Sequence, residues 1–406
     1  MSEFSQNGIV STLHDFGTKS TKEIESELLK FSRERKMELI LPCLFSEIEG
    51  DALPNIVSEI KKTNYLNHII IGLDKANEDQ ARKAWTFFEQ LETPFTILWN
   101  DGPNLKKLDK ELKKKDLAPS EEGKGRNVWY CIGMSIARDT ARSVALHDCD
   151  IKTYDRRMLA KLFYPVVNPL FNFEFCKGYY PRVADSKMNG RVVRLLVSPL
   201  LNALEKTIGK SEYLDFMKSF KYPLAGEFSF RRNILPELRI SSDWGIEIGI
   251  LSEMQRNFSP QNICQVNLAD SYDHKHQDLS IDDENKGLSR MSIDIIKTFI
   301  KKLATQGHSF SKEQLRSLKA TYYRSALDLI DAYRSDAEIN GLNFDSHSEE
   351  KAVELFSSNI IKAGEAFFLN PMDAPFIPTW SRVKSAIPDF LTRLEKAVNE
   401  DNKHYT

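Results

Sequence analysis

Long apolar runs are missing from this 406-residue chain. Without one there is no candidate for a membrane-spanning helix, and the polar stretch 1–21 lacks the apolar segment of a secretory signal. Net charge is nearly absent as well: 56 lysines and arginines stand against 58 aspartates and glutamates. That balance argues against a dedicated nucleic-acid binder, while leaving room for a local basic site. Cysteines are few (Cys43, Cys131, Cys149, Cys176 and Cys264), odd in number and without CxxC spacing. They read as reduced thiols rather than a disulfide framework, which points to the cytoplasm. Neither an internal repeat nor a low-complexity tract is present. What is there is 41% hydrophobic and 10% aromatic residues, the mark of a globular chain with a substantial core.

Short apolar runs alternate with longer amphipathic ones. Residues 20–36 carry helical spacing. Met37-Glu38-Leu39-Ile40-Leu41-Pro42 reads as a buried strand that stops at Pro42, and a helix over 51–62 follows with Asp51 as its cap. Further strands are expected at 68–74, 95–99 and 143–148, with helices over 77–92 and 126–139 between them. This alternation predicts an α/β fold, a mostly parallel sheet covered by helices on both faces. Ligands in such folds bind beyond the carboxyl ends of the strands, where Asp74 and Asp148 fall. The lysine-rich stretch 104–124 reads either as a solvated helix face or as a basic lid over phosphates. A polar, acidic stretch at 270–288 precedes helical periodicity at 291–306, 312–334, 349–363 and 380–399. The organisation expected is a helical segment over 1–36, a catalytic domain over 37–288 and a helical C-terminal extension over 289–406.

Several elements carry chemistry. Asp148-Cys149-Asp150 places two acids one residue apart at a strand end, where both carboxylates can address one hard cation such as Mg²⁺ or Mn²⁺; the bland reading is a pair of turn aspartates. Gly123-Lys124-Gly125 opens a helix whose free N–H groups suit an anion, with Lys124 adding charge, although its spacing is not that of a Walker A loop. In Asp273-His274-Lys275-His276, one histidine could complete a metal site and the other touch substrate; the alternative is an incidental polar loop. Asn189-Gly190-Arg191-Val192-Val193-Arg194 precedes a helix over 195–208 and offers glycine, arginine and a helix start to a phosphate or carboxylate. Pro223-Leu224-Ala225-Gly226-Glu227 and Asp243-Trp244-Gly245-Ile246-Glu247 set acids beside glycines, either as bases and hydroxyl ligands or as helix caps.

In this order the elements resemble the glucosyl-3-phosphoglycerate synthases, retaining glycosyltransferases of the GT-A fold. The resemblance runs over about 37–280 and is densest in three stretches. These are the run from Gly190 to Leu201, the run from Pro223 to Glu227, and Trp244-Gly245-Ile246-Glu247-Ile248-Gly249 together with Gln265-Val266-Asn267-Leu268. It implies that Asp148 and Asp150 are the metal-site acids, Asp150 the more direct, with His274 as a further ligand. It places Lys124 beside the donor diphosphate, and Pro42, Cys43, Leu44 and Asp74 around the nucleoside. Gly190, Arg191, Val192, Val193 and His276 would hold the acceptor, and Glu247 would lie near the sugar and the acceptor hydroxyl. The chain departs from the family at Phe45-Ser46-Glu47, where the family has Asn-Glu-Glu, and at Val193 and His276, where it has polar residues.

The reaction implied moves glucose from an NDP-glucose, UDP-glucose favoured, to 3-phosphoglycerate, with Mg²⁺ or Mn²⁺ as cofactor. The product would be a precursor of a compatible solute, glucosylglycerate. Rival readings are transfer of mannose from GDP-mannose, transfer to another glycerate-like acceptor, nucleotidyl transfer with release of pyrophosphate, and non-catalytic binding of a sugar nucleotide. The resemblance further implies a homodimer, with the C-terminal extension a candidate for its interface.

Overall fold

Ile69, Ile70 and Ile71 are consecutive in one strand and all fully buried, so that strand is covered on both faces. Ile70 packs with Ile40, Leu98 and Val144 in one core, while Ile69 and Ile71 pack with Leu39, Leu41 and Ile97 in the other. Each such side chain contributes roughly 1.5–3 kcal/mol through burial. The computed structural model describes residues 6, 8–274, 286–371 and 376–403. Its strands are β1 (Ser11–Leu13), β2 (Met37–Leu44), β3 (Leu66–Asp74), β4 (Phe95–Trp99), β5 (Ser143–Leu146), β6 (Phe175–Tyr179), β7 (Val183–Ala184), β8 (Lys187–Met188), β9 (Phe228–Arg231) and β10 (Ile263–Asn267). Eight of them form one sheet in the order β1-β10-β6-β9-β5-β2-β3-β4, and β7 with β8 makes a separate hairpin. All pairings in the large sheet are parallel except those of β9, which runs against β5 and β6.

Sequence periodicity located β2 to β5 and most of the long helices, but not β1, β6 to β10 or the helices Arg156–Val167 and Ile246–Asn257. β2 does not stop at Pro42 but runs on to Leu44 alongside Gly72, Leu73 and Asp74 of β3. Asp51 precedes the helix Ala52–Lys61 without a side-chain capping bond. The lysine-rich stretch begins as the helix Pro103–Lys113, which buries Leu105, Leu108 and Leu112 and leaves most of its lysines on the solvent side. The region 380–399 breaks at Pro388 into Trp380–Ala386 and Phe390–Asn402.

The C-terminal helices brace the sheet's helices. Trp380 stacks on Trp129 at 4.0 Å, donates its indole N–H to the Trp129 carbonyl (3.0 Å), and occupies the space a side chain on Gly133 would need. Asp401 accepts hydrogen bonds from the backbone N–H groups of Asn104 and Leu105, so a residue some 300 positions away caps the helix Pro103–Lys113. Near the other end of the chain, Asp15 accepts from both Arg157 and Lys161 of the helix Arg156–Val167 (2.8 and 2.7 Å).

Two stability predictions follow from this bracing. Trp380→Ala should cost roughly 3–5 kcal/mol in denaturant unfolding. The hydrogen bond from Arg157, aided by Lys161, outweighs burial and holds the Asp15 carboxyl well below the usual range. Its stabilisation is therefore complete above the unfolded value of roughly 4 and is lost as pH falls through the depressed folded value. Asp15→Asn should show a deficit of roughly 1–3 kcal/mol at neutral pH that shrinks in acid, and a deficit independent of pH would rule the ion pair out as its source.

Candidate functional site

Parallel strands deliver their carboxyl ends to one side of the sheet, and β9, running the other way, delivers the residues before it to that same side. Pro42, Cys43 and Leu44 of β2, Asp74 of β3, Asp148 and Asp150 after β5, Arg182 after β6, Gly226 before β9, and Tyr272 and His274 after β10 accordingly line one cavity of about 660 Å³. Gly123, Lys124, Gly190, Arg191, Val192 and Glu247 line it too.

Lys124 is the first residue of the helix Lys124–Arg138. Gly123 before it has φ +139°, and a side chain on Gly125 after it would lie 2.3 Å from the Ser241 carbonyl, so both glycines are required by the backbone. The Lys124 Nζ reaches Asp148 Oδ1 at 2.7 Å and Glu247 Oε1 at 3.1 Å. Burial opposes its charge, but the two carboxylates override it and raise the lysine well above its usual range. Burial likewise pushes Asp148 up, and Lys124 reverses this and holds the carboxyl below its ordinary value. A side chain on Gly226 would meet the Asp148 carboxylate at 2.4 Å, so glycine lets the chain pass close to that acid. His147 sits beneath the turn between Asp148 and Tyr154, and burial lowers it to about 4, so it stays neutral.

The second acid faces another partner. Asp150 Oδ2 lies 3.4 Å from His274 Nδ1, and its Oδ1 is buried with no hydrogen-bond partner. The loop bearing His274 is stitched to the acid run by an Ile151–His274 bridge and by the Lys152 N–H on the Asp273 carbonyl (2.9 Å). An orphaned buried carboxylate oxygen beside an imidazole suits a divalent cation. Asp148, expected among the ligands, turns instead to Lys124, and among the described residues no ready-made cluster of three ligating side chains exists. Asp150 and His274 could hold Mg²⁺ or Mn²⁺ while leaving positions for phosphate oxygens, as these ions require.

At the glycine–arginine loop, expected to hold the acceptor, the structure adds partners that the chain order did not show. Gly190 takes a left-handed φ of +75°, and Arg191 follows it but bonds Glu349 of the helix Ser346–Leu369 through Nε (2.9 Å) and Nη2 (2.8 Å). Val193 is buried, opens a π-helical turn (Val193–Val197) and is not among the residues lining the cavity. His276 lies outside the described residues. Arg182, Tyr222, Tyr272 and Arg290 line the cavity without having been singled out from sequence, and Glu349 had no local signal at all. Arg182 was detectable in principle, since it lies just past the carboxyl end of β6, a strand that sequence periodicity did not mark. Glu227 is buried beneath the floor, where it accepts from the Tyr180 and Tyr272 hydroxyls (2.6 and 2.7 Å); burial, then Asp148, raises its carboxyl. Asp74 is raised as well, by burial and then by Asp101.

No family model matches the chain. It is 42% identical over 402 residues to the glucosyl-3-phosphoglycerate synthase of Persephonella marina, an alignment covering 99% of each chain. With the glucosyl-3-phosphoglycerate synthase of Methanococcoides burtonii it shares 37% identity over 401 residues, 98% of this chain and 97% of the other. The solved glucosyl-3-phosphoglycerate synthase of Mycobacterium tuberculosis, in complex with Mn²⁺, UDP-glucose and phosphoglyceric acid, superposes with a TM-score of 0.52 at 20% identity. That match covers 72% of this chain and 87% of the other and establishes the shared GT-A fold. Among the described residues no helix is long and apolar enough to cross a membrane.

The geometry separates the two acids of the Asp148-Cys149-Asp150 run. In calorimetric titration with Mn²⁺ and UDP, Asp150→Asn should weaken metal binding by at least about tenfold and Asp148→Asn by clearly less. Equal losses would mean that both acids bind the metal.

Proposed function

The chain belongs to the glucosyl-3-phosphoglycerate synthase family, and from that premise we propose that it moves glucose from UDP-glucose to 3-phosphoglycerate with retention at the anomeric carbon. The observation that carries the reading is Lys124. A cation at a helix start, held between Asp148 and Glu247 and facing the Asp150–His274 pair across one cavity, is arranged to receive a diphosphate.

The chemical difficulty is the departure of a diphosphate that gathers negative charge as the glycosidic bond breaks. Lys124 and the N–H groups opening its helix would stabilise that charge from a fixed helix start. A divalent cation, when bound, adds Lewis-acid stabilisation of the same oxygens, and Asp150 with His274 would hold it. Pro42, Cys43, Leu44 and Asp74 form the part of the cavity where the nucleoside would lie. The acceptor oxygen bonds to the anomeric carbon as the carbon–phosphate oxygen bond breaks, and its proton passes to the departing diphosphate on the same face of the sugar. Glu247, kept near Lys124, orients the sugar and the acceptor hydroxyl rather than forming a covalent intermediate. Retention then needs no enzyme nucleophile, and positioning supplies much of the rate.

A donor panel tests the reading. Purified protein with Mg²⁺ and 3-phosphoglycerate should release UDP and form the glucosyl product from UDP-glucose, as read by mass spectrometry. Turnover confined to GDP-mannose would replace the sugar and base, and release of pyrophosphate from a nucleoside triphosphate would replace the reaction class.

A further inference from the structure

Three arginines line the cavity, and their surroundings differ. Arg191 is bonded through Nε and Nη2 to Glu349, which also takes Arg194 at 3.0 Å. Arg290 pairs with Glu121 at 2.7 Å. Arg182 has no carboxylate within ion-pair distance among the described residues. Its Nη1 donates to the Tyr222 hydroxyl at 3.2 Å, and its Nε is buried with no hydrogen-bond partner.

A buried guanidinium N–H left without an acceptor is costly, and an anion reaching it would complete it. Its placement is nonetheless well defined. The guanidinium carbon lies 5.7 Å from the centre of the Tyr272 ring. Tyr272 stacks flat on Tyr180 at 3.6 Å, and both hydroxyls are held by Glu227. The Arg182 backbone is tied to the glycine–arginine loop, since its carbonyl accepts from the Asn189 N–H at 2.6 Å. Gly190 also leaves space at 3.3 Å from the Arg182 side chain. The buried carboxylate, the tyrosine pair and the loop therefore present one cation, unmatched by any carboxylate among the described residues, beside the loop expected to bind the acceptor.

The geometry points to Arg182 as the residue that receives an anionic end of the acceptor, a phosphate or a carboxylate. Arg191, matched by Glu349, anchors the loop to the C-terminal helices. This assignment rests on the acceptor being a phosphorylated hydroxy acid, as argued above. Arg191 and Arg290 are each matched by a protein carboxylate, whereas Arg182 adds a charge that no carboxylate among the described residues offsets.

Steady-state kinetics of Arg182→Ala and Arg182→Lys with UDP-glucose and 3-phosphoglycerate test it. Arg182→Ala should raise the acceptor KM about 10- to 100-fold. The donor KM and the thermal midpoint should stay near wild type, and Arg182→Lys should recover part of the loss. Glycerol 3-phosphate and glycerate, used as competitive inhibitors, assign the end: the analogue lacking the contacted anion is the one whose inhibition the substitution leaves unchanged. An acceptor KM shifted by no more than the donor KM, or one that lysine does not improve at all, overturns the assignment. Failure of the wild type to use 3-phosphoglycerate would instead strike the acceptor reading itself, and this inference with it, before any variant is measured.

Discussion

One partly buried lysine between two carboxylates organises the cavity of this molecule. Lys124 reaches Asp148 from the end of β5 and Glu247 from the start of the helix Ile246–Asn257, so three separate parts of the chain meet at one ammonium group. Each of the three charges is partly withdrawn from water, the side chains being 32%, 26% and 12% exposed, and their pairing offsets that cost. Together they set the entrance of the helix Lys124–Arg138 against the acid run and divide the acids' work, Asp148 with the lysine and Asp150 with His274. An anionic ligand entering the cavity would meet a positive helix start and an ammonium already in place.

That arrangement depends on scaffolding far away in sequence. Trp380 presses on the helix that Lys124 opens, through Trp129 and the bare face of Gly133. Glu349 gathers Arg191 and Arg194 and so sets the loop on the other side of the cavity. The C-terminal helices thus bear on the Lys124 side of the cavity by packing and on the Arg191 side by charge. Buried ion pairs like those of Glu349 are expensive to assemble and easily broken by losing one partner, which makes them better at fixing a conformation than at adding stability.

Much of this was readable residue by residue. The β2, β3, β4 and β5 strands announced themselves by short apolar runs, because burial on both faces demands them. Asp148, Asp150, Lys124 and Glu247 stood out because of their order along the chain, since each alone also has an ordinary reading as a turn or cap residue. The β6, β9 and β10 strands were not marked. Phe175-Cys176-Lys177-Gly178-Tyr179 has a lysine and a glycine within it, yet it lies wholly inside the protein, where Lys177 donates to the Ala225 carbonyl. Periodicity cannot reveal a strand whose polar member is satisfied by a partner about 50 residues away. Arg182 was missed for the same reason, since its significance depends on that strand's end.

The sequence by itself determined the alternation of strands and helices, the positions of the acids and of the glycine-flanked lysine, and the resemblance that joined them. These are local properties, set by period, turn chemistry and spacing. Only the tertiary structure decided how charges are matched: that Asp148 serves Lys124 while Asp150 faces His274, that Glu349 occupies Arg191, and that Arg182 has no carboxylate partner among the described residues. Electrostatic pairing is a matter of a few ångströms between residues that are distant in the chain, and the chain order does not contain those distances.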